Sequence, residues 1–242
     1  MNEKFDLCEE QESWDTIIED FKKARYCLCC PKHTNNWGRN EKDGYYYLLK
    51  AYHFASNAKE KMPQWYARIL YLMASENRFK QGDYVILHQY LKPCVEAYKE
   101  ALSNGVKVSE LEVKYATEMY EEYLYVESCR ENTDENYIKS CSYIEGFTID
   151  DKFAFHDSKP ISFTHDETSA QLVLKYDDEI RTFVFEELYS VDVASTDPET
   201  VWIFDFHCYP VRRDSGLLVF DVEYYRILCG KIKCISNSTE GK

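Results

Sequence analysis

The sequence lacks the segments that export a protein or anchor it in a membrane. Its opening stretch, MNEKFDLCEEQESW, is acidic where a secretory signal needs a basic start and an apolar run, and no later apolar run approaches the ~18 residues of a membrane span. Without an export signal, the ten cysteines are expected to be reduced thiols, several of them in the core. We therefore expect a cytoplasmic protein that does not associate with membranes.

Positive charge is also scarce. The chain has 29 Lys and Arg against 43 Asp and Glu, a formal net charge of −14. Such a chain repels phosphate backbones, and its positive residues are scattered, with Arg212-Arg213 as one adjacent pair, so we expect no binding to nucleic acid. An acidic surface keeps a protein soluble and can also attract a basic protein partner.

The motifs of nucleotide binding and nucleophilic catalysis are missing as well. The eight glycines include no G-x-x-x-x-G-K, G-x-G-x-x-G or G-x-S-x-G pattern, so we expect no cofactor. Three pairs of neighbouring acids, Glu121-Glu122, Asp177-Asp178 and Glu186-Glu187, could be imagined as glycosidase carboxylates. Neighbours on turns or helix faces are more typical of solvated surface, which is the interpretation we prefer.

The chain does contain a long region of helical periodicity, from about residue 13 to residue 140. Apolar residues recur there at spacings of three and four, and Ser13 is placed to cap the first helix. Pro63 suits a first helical turn, and Pro93 should kink or split the helix that contains it. There is no self-similarity at a fixed 34-residue period, so the pattern predicts a small bundle and not a helical repeat.

After about Gly146 the period changes to two, which is typical of strands. Short strands without a helix-length crossover favour antiparallel pairing. We predict an α+β protein with an N-terminal helical bundle (1–145), a mostly antiparallel β-sheet region (146–236) and a disordered tail (237–242). The predicted strands are DKFAFHD, PISFTHD, AQLVLKY, IRTFVFEEL, TVWIFDFHCY, GLLVFDV and YYRILCGKIKCI.

Two His-Asp pairs, His156-Asp157 and His165-Asp166, stand nine residues apart in a chain with six histidines. A metal-dependent hydrolase of the His-Asp type needs adjacent His and Asp on a helix, with further histidines completing the metal shell. Here the pairs lie between strand segments, where residues nine apart point to opposite faces if the strand is continuous. If this region does bind a metal ion, the candidate ligands are His156, Asp157 and His207, and these candidates are weak. We predict no catalytic residue.

The alternative for the first pair is turn chemistry. In that interpretation Asp157 and Ser158 accept backbone hydrogen bonds, and His156 packs on Phe153 or Phe155. We favour the turn over the metal site. The second pair is interpreted as ordinary loop residues.

A further set of metal donors occurs in CLCCPKH, with Cys27, Cys29, Cys30 and His33. These are the soft ligands of tetrahedral zinc, but zinc knuckles place two residues between paired cysteines, and this C-x-C-C spacing differs. A helix end with buried cysteines is the better interpretation.

Tyrosine is abundant, with 21 residues, and at helical spacing most of them are expected in the bundle core. The predicted helix that follows residue 109 has acidic side chains outside its apolar face. Its candidate binding face consists of Glu118, Glu121, Glu122 and Glu127. Tyrosines exposed beside such a face would suit a basic protein partner.

The last ~90 residues contain, in this order, the segments FHDSKPISF, QLVLKYD, TFVFEEL, VWIFDFHCYP and GLLVFDVEYYRILCGKIKCI, with His156-Asp157-Ser158 as a short motif. This pattern resembles a family of uncharacterised bacterial proteins. In that family a helical region precedes a β-rich segment that opens with Phe/Leu-His-Asp-Ser/Ala. A similar layout occurs among small proteins of toxin-immunity loci. The resemblance implies no catalytic residues.

These observations lead to two main functional hypotheses. The first is a cytoplasmic, non-enzymatic, acidic protein-binding module that resembles immunity proteins and neutralises a basic protein such as a nuclease toxin. The alternative is a metal-dependent hydrolase that uses the His156-Asp157 pair and His207. A structural role in a larger assembly is a third possibility.

Overall fold

The computed structural model describes residues 13–29, 37–57, 59–78, 81–149, 153–193, 202–213, 215–222 and 224–237. The chain divides into two compact units, Met1–Leu124 and Tyr125–Lys242, which we call the helical unit and the sheet unit. Helices occupy the N-terminal part and an antiparallel sheet the C-terminal part. The predicted α+β class is confirmed.

The helical unit consists of α-helices with short irregular helical segments between them. A 3₁₀ turn (Lys59–Lys61) precedes α3, and a π-helical segment (Ile86–Leu91) joins α4 to α5. The helices are α1 (Trp14–Cys29), α2 (Trp37–Ser56), α3 (Pro63–Asn77), α4 (Asp83–Val85), α5 (Lys92–Ser103) and α6 (Glu110–Cys129), the last of which continues into the sheet unit.

Helix boundaries in this unit follow the local chemistry of the sequence. The Ser13 hydroxyl accepts a hydrogen bond from the Thr16 N–H at 3.3 Å, as expected of an N-cap, and Pro63 is the first residue of α3. Pro93 lies in the first turn of α5, directly after the π segment, where the Lys92 N–H bonds the carbonyl of Leu87, five residues back. Helical backbone continues from Asp83 to Ser103, so the helix is not split at Pro93, and the irregularity beside the proline is the wider π turn.

The sheet unit begins with the end of α6 and with α7 (Asp134–Ser142), followed by seven strands. They are β1 (Ile144–Glu145), β2 (Lys159–His165), β3 (Ser169–Tyr176), β4 (Glu179–Val193), β5 (Phe206–Pro210), β6 (Leu218–Val222) and β7 (Tyr225–Asn237). Their order is β2-β3-β4-β7-β6-β5 with antiparallel neighbours, and β1 pairs with β7 in parallel. The prediction of a mostly antiparallel sheet is therefore confirmed.

The core of the sheet unit is aromatic. Its buried phenylalanines come from three strands and from the segment before β2, and they are Phe153, Phe155, Phe183, Phe185, Phe206 and Phe220. Helix α7 packs against β5, and the buried Ser140 hydroxyl accepts the Cys208 N–H at 3.0 Å. This bond fixes α7 beside the first residues of β5, which is where the candidate site lies.

Two predicted strands differ from the observed ones. The DKFAFHD segment forms no strand in its described part, 153–157, because the chain turns at 155–157 and Asp157 adopts a φ of +67°. In TVWIFDFHCY the strand begins only at Phe206. Alternating apolar residues indicated burial correctly at both places, since Phe153, Phe155 and Ile203 are buried without being in strands.

The structural division also differs from the predicted boundary between residues 145 and 146. The secondary structure does change there, with β1 followed by Gly146 at a φ of +78°. However, α7 packs on β5, so the division of the chain falls after Leu124. At the other end, the predicted tail overlaps the last residue of β7, Asn237, and residues 238–242 lie outside the described part.

Candidate functional site: an acid-lined pocket in the sheet unit

Negative charge is distributed unevenly between the two units. The helical unit has 17 Lys and Arg against 20 Asp and Glu, a net charge of −3. The sheet unit has 12 against 23, a net charge of −11. Most of the acidity that the composition shows therefore belongs to residues 125–242.

A pocket of about 420 Å³ opens on the sheet unit, and we call it the acid pocket. It lies among the residues that precede α7, the start of that helix, the turn at 155–157 and the start of β5. The lining residues that matter here are Glu131, Asp134, Tyr137, His156, Asp205 and His207. The pocket thus combines carboxylates, imidazoles and aromatic rings from four segments of the chain.

The turn that carries His156 is tied to the segment before β5. The Asp157 N–H donates to the Ile203 carbonyl at 2.8 Å, and the Ile203 N–H donates to the Ser158 carbonyl at 3.0 Å. The buried Ser158 hydroxyl also donates to the Phe155 carbonyl at 2.7 Å. These bonds satisfy the polar backbone between two buried side chains, and they leave His156 exposed at the pocket.

The opposite wall is built by the N-terminus of α7. Thr133 caps this helix by accepting the Asn136 N–H at 3.2 Å. The Asn136 amide in turn donates to the carbonyls of Ser128 and Glu131, at 2.7 and 2.9 Å. The loop between α6 and α7 is thereby fixed, and with it the exposed carboxylates of Glu131 and Asp134.

Asp205 joins the two walls. The Asn132 amide donates to Asp205 Oδ1 at 3.0 Å, which orients the carboxylate at the pocket. Next to it, Phe204 is 54% exposed and makes an edge-on contact with the His156 ring, with the centroids 6.1 Å apart. An exposed aromatic ring beside carboxylates is an environment that favours a cationic group.

His207 is half-buried, and burial lowers the pKa of its imidazole. The carboxylates of Asp221 and Asp205 oppose this effect by raising the pKa, while the Arg130 cation lowers it further. Arg130 itself bonds Asp221 at 2.6 Å. A lowered pKa keeps the imidazole neutral at pH 7, so it does not offset the negative charge of the pocket.

The described residues that line the pocket include three carboxylates and no lysine or arginine. The carboxylates belong to Glu131, Asp134 and Asp205, all of them exposed. A lysine or arginine side chain from a partner would find hydrogen-bond acceptors and aromatic surface there at the same time.

The structure supports the turn interpretation of the first His-Asp pair and changes its details. His156 packs on Phe204 and not on Phe153 or Phe155, because Phe155 is stacked on Phe206 with the centroids 3.7 Å apart. The residues predicted as side-chain acceptors are donors instead, since the Asp157 N–H bonds the Ile203 carbonyl and the Ser158 hydroxyl bonds the Phe155 carbonyl. His156 Nδ1 lies 3.0 Å from Asp157 Oδ2.

The second pair lies at the end of β2, of which His165 is the last residue. Asp166 Oδ1 accepts the N–H groups of Thr168 and Ser169, at 2.7 and 2.8 Å, which closes the turn into β3. These bonds to the ionised form lower the pKa of Asp166 to about 2. The pair therefore serves the turn, as the sequence suggested.

The metal candidates are only partly brought together. His156 and His207 line the same pocket although 51 positions separate them in the sequence, whereas Asp157 does not line it. Within the described ranges, no group of three His, Cys, Asp or Glu side chains is arranged to hold a metal ion. Catalytic zinc sites use three protein ligands, so this donor set does not fit such a centre.

The CLCCPKH segment lies at the end of α1. Cys27 is a half-buried free thiol facing α2, while the Cys29 side chain, Cys30 and His33 are outside the described part of the structure. The other described cysteines are buried and free, as expected of core thiols. The zinc hypothesis for this segment stays untested.

The two acid pairs of the sheet unit, Glu186-Glu187 and Asp177-Asp178, take part in strand contacts and in a turn. Glu186 bonds Lys233 at 2.6 Å on the neighbouring strand β7. Glu187 packs over Gly230 with a φ of +55°, just before the β-bulge between Leu188 and Ser190. Asp177 has a φ of +50° and forms the turn between β3 and β4 together with Asp178.

The predicted acidic face on α6 is divided between the two units. Glu118 and Glu121 are exposed and Glu122 is partly exposed, all in the helical unit, and Glu118 lies 3.7 Å from Lys114. Glu127 belongs to the sheet unit. The acid pocket was not found from the sequence, because its carboxylates come from separate segments.

Among the helices of the described residues, none combines the length and the apolar character needed to cross a bilayer. Comparisons with protein-family models, with curated proteins and with solved structures found no match for this chain. The geometry of the acid pocket and the charge of the sheet unit are therefore the basis for assigning a function.

Proposed function

We propose that the protein is a cytoplasmic, non-enzymatic module that binds a basic protein through the acid pocket, in the manner of a toxin-immunity protein. The observation that carries the proposal is the pocket itself: three exposed carboxylates and exposed aromatic surface around about 420 Å³, without lysine or arginine among its described lining residues.

The charge distribution supports this choice of surface. A net charge of −11 on the sheet unit produces a field that attracts cationic proteins and accelerates their encounter, and the effect weakens as salt is added. Charge alone does not select one partner. The pocket adds directional acceptors, since Asp205 is held by Asn132 and the others are placed by a capped helix.

The chemistry of the pocket also suits arginine in particular. A guanidinium can bond a carboxylate through two N–H groups while its flat face lies on an aromatic ring such as Phe204. Such arginine contacts are frequent among the residues that dominate protein interfaces. A basic nuclease, which has arginine and lysine for binding phosphates, is a partner of this chemistry.

The experiment is a binding screen at low ionic strength with proteins of the same cell. The pocket triple variant, Glu131→Gln with Asp134→Asn and Asp205→Asn, removes three negative charges and keeps the size of each side chain. A partner retained by the wild-type protein and lost by this variant supports the proposal. If no protein is retained at low ionic strength, the proposal is wrong.

The matched control is the α6 triple variant, in which Glu118, Glu121 and Glu122 are each changed to Gln. It removes the same number of charges from the other unit and tests the acidic face that the sequence indicated. Binding should persist in this variant and fall in the pocket triple variant. Equal losses would show that total charge, and not the pocket, determines the interaction.

A metal-dependent hydrolase is the second candidate function, because His156 and His207 do line one pocket. Metal analysis of the purified protein separates the two candidates. A hydrolase of this kind would bind a divalent ion such as Zn²⁺ or Mn²⁺, and His156→Ala would abolish that binding. A non-enzymatic module should bind its protein partner equally well in the presence of a chelator.

A further inference from the structure

A second cavity, of about 400 Å³, lies in the helical unit and is bordered by α1, α3, α5 and α6. Its deeper wall contains the buried side chains of Phe21, Leu72 and Tyr98. Tyr98 is 2% exposed, and burial raises its pKa and also that of Tyr71, which lines the same cavity. The interior of the cavity is therefore a place for an apolar group.

The rim of this cavity exposes large apolar side chains. Leu111 is 60% exposed and Tyr115 is 53% exposed, and both line the cavity from α6. They are four residues apart, so they lie on the same face of that helix. Single exposed apolar residues are ordinary, but two adjacent ones at the mouth of an apolar cavity are typical of a ligand site.

Two arginines line this cavity, and they differ in whether a carboxylate of the described residues bonds them. Arg68 donates from Nε and Nη2 to one oxygen of Glu112, both at 3.0 Å, and its guanidinium lies 4.5 Å from the centroid of the Trp65 ring. Its charge is therefore largely balanced. Arg25, on α1, is exposed and lines the same cavity, and no carboxylate in the described part of the chain is bonded to it.

We propose that this cavity binds a small amphipathic carboxylate, whose apolar body lies against Leu72, Tyr98 and Leu111 while its carboxylate meets Arg25. The volume is in the range of sites for small organic ligands. The guanidinium of Arg25 offers the planar fork that matches a carboxylate. Glu76 also borders the cavity and repels an anion, so the bound carboxylate lies on the Arg25 side.

Octanoate and 1-octanol are the probes, because they share an apolar chain and differ in charge. Calorimetric titration of the full chain should give one octanoate site per protein, with octanoate binding at least about tenfold tighter than 1-octanol, since a charged hydrogen bond is added. Arg25→Gln should remove this difference and leave 1-octanol unchanged. Glu76→Gln should strengthen octanoate binding.

Two control variants match these changes outside the cavity. Lys22→Gln removes a positive charge from the exposed surface of the same helix, and Leu102→Ser removes an exposed leucine from α5. Neither should alter octanoate binding, whereas Leu111→Ser should weaken the binding of both probes.

Several outcomes would overturn the proposal. Equal affinity for octanoate and 1-octanol, or octanoate binding that survives Arg25→Gln, would mean that the cavity only absorbs apolar chains. The absence of a saturable heat up to millimolar octanoate would contradict a carboxylate site altogether. None of these results bears on the acid pocket, which lies in the other unit.

Discussion

The helical unit and the sheet unit bury different kinds of side chain. The described core of the helical unit contains seven alanines and one phenylalanine, whereas that of the sheet unit contains six phenylalanines and one alanine. Helices in close contact have axes 8–10 Å apart and need small residues where they meet. A sheet packs against its neighbouring layer at about 10 Å over a broad surface, which large flat rings can fill.

The two units also differ in charge and in what their surfaces can bind. The helical unit is nearly balanced, at −3, and one of its cavities is apolar with an exposed arginine. The sheet unit, at −11, has a polar pocket lined by carboxylates. The composition of the whole chain hides this contrast, because a single net charge cannot show where the charge lies.

The largest predicted effect concerns the aromatic core. Changing Phe155 to Ala removes a fully buried ring that stacks on Phe206, and it should lower the free energy of unfolding by about 3–5 kcal/mol. Denaturant unfolding followed by circular dichroism measures this loss. Phe204→Ala, at an exposed ring of the same unit, is the control and should change stability by less than about 0.5 kcal/mol. Similar losses in both variants would contradict the description of the core.

In the helical unit, the stability of the fold should be sensitive to added side-chain volume. A Cβ at Gly44 would lie 2.8 Å from both Cys27 Cβ and Leu28 Cγ, where α2 approaches α1. Gly44→Ala should therefore lower stability by about 1–2 kcal/mol, because overpacking outweighs the better helix propensity of alanine. Gly82→Ala is the control, since a Cβ there meets nothing within 4 Å and the φ is −66°. Thermal unfolding that ranks the two variants in the opposite order would contradict the close approach of these helices.

The turn at Asp166 gives the sheet unit a specific pH dependence. The folded-state pKa of Asp166, about 2, is below the ~3.9 of an unfolded aspartate. The ionised carboxylate therefore stabilises the folded state fully above the unfolded pKa. This stabilisation is lost as the pH falls through about 2. The stability difference between wild type and Asp166→Asn should shrink over that window, as measured by urea unfolding at several pH values. A carboxyl NMR titration with a midpoint near 4 for Asp166 would contradict the hydrogen bonds described.

The smallest effect is on thiol reactivity, which should differ between Cys27 and the buried cysteines of the described residues. Burial raises the pKa of Cys94, Cys141 and Cys229 to about 12, which leaves little thiolate at pH 8. In the folded protein these thiols should react with iodoacetamide at least about tenfold more slowly than the half-buried Cys27. Peptide mapping by mass spectrometry measures the rates, and equal labelling before and after unfolding would show that these thiols are not protected.

Much of the fold could be predicted from sequence, because local periodicity reflects which side of an element is buried. The change from period 3.6 to period 2 near Gly146 gave the fold class, and the pattern of β2, β3, β6 and β7 agreed with the observed strands. The prediction of a strand at 153–157 was wrong for a physical reason. Alternation of Phe153 and Phe155 indicates burial, but the chain turns at 155–157, where Asp157 has a positive φ and its N–H bonds the Ile203 carbonyl.

The candidate site could be predicted only in part. His156 and His207 were singled out for their chemistry, yet their shared pocket depends on long-range hydrogen bonds of Ile203 with Asp157 and with Ser158 that no local pattern shows. Asp205 was missed because its neighbours in space come from the loop before α7. The one local signal available was the cap at Thr133, which marks where that loop ends.

The most direct test of the central claim is binding of a labelled nona-arginine peptide, measured by fluorescence anisotropy at 50 and 300 mM salt. The wild-type protein and the α6 triple variant should bind it with similar affinity, more tightly at low salt. The pocket triple variant should bind at least about tenfold more weakly at 50 mM salt. If both triple variants weaken binding equally, or if the α6 variant weakens it more, the acid pocket is not the site for a basic partner.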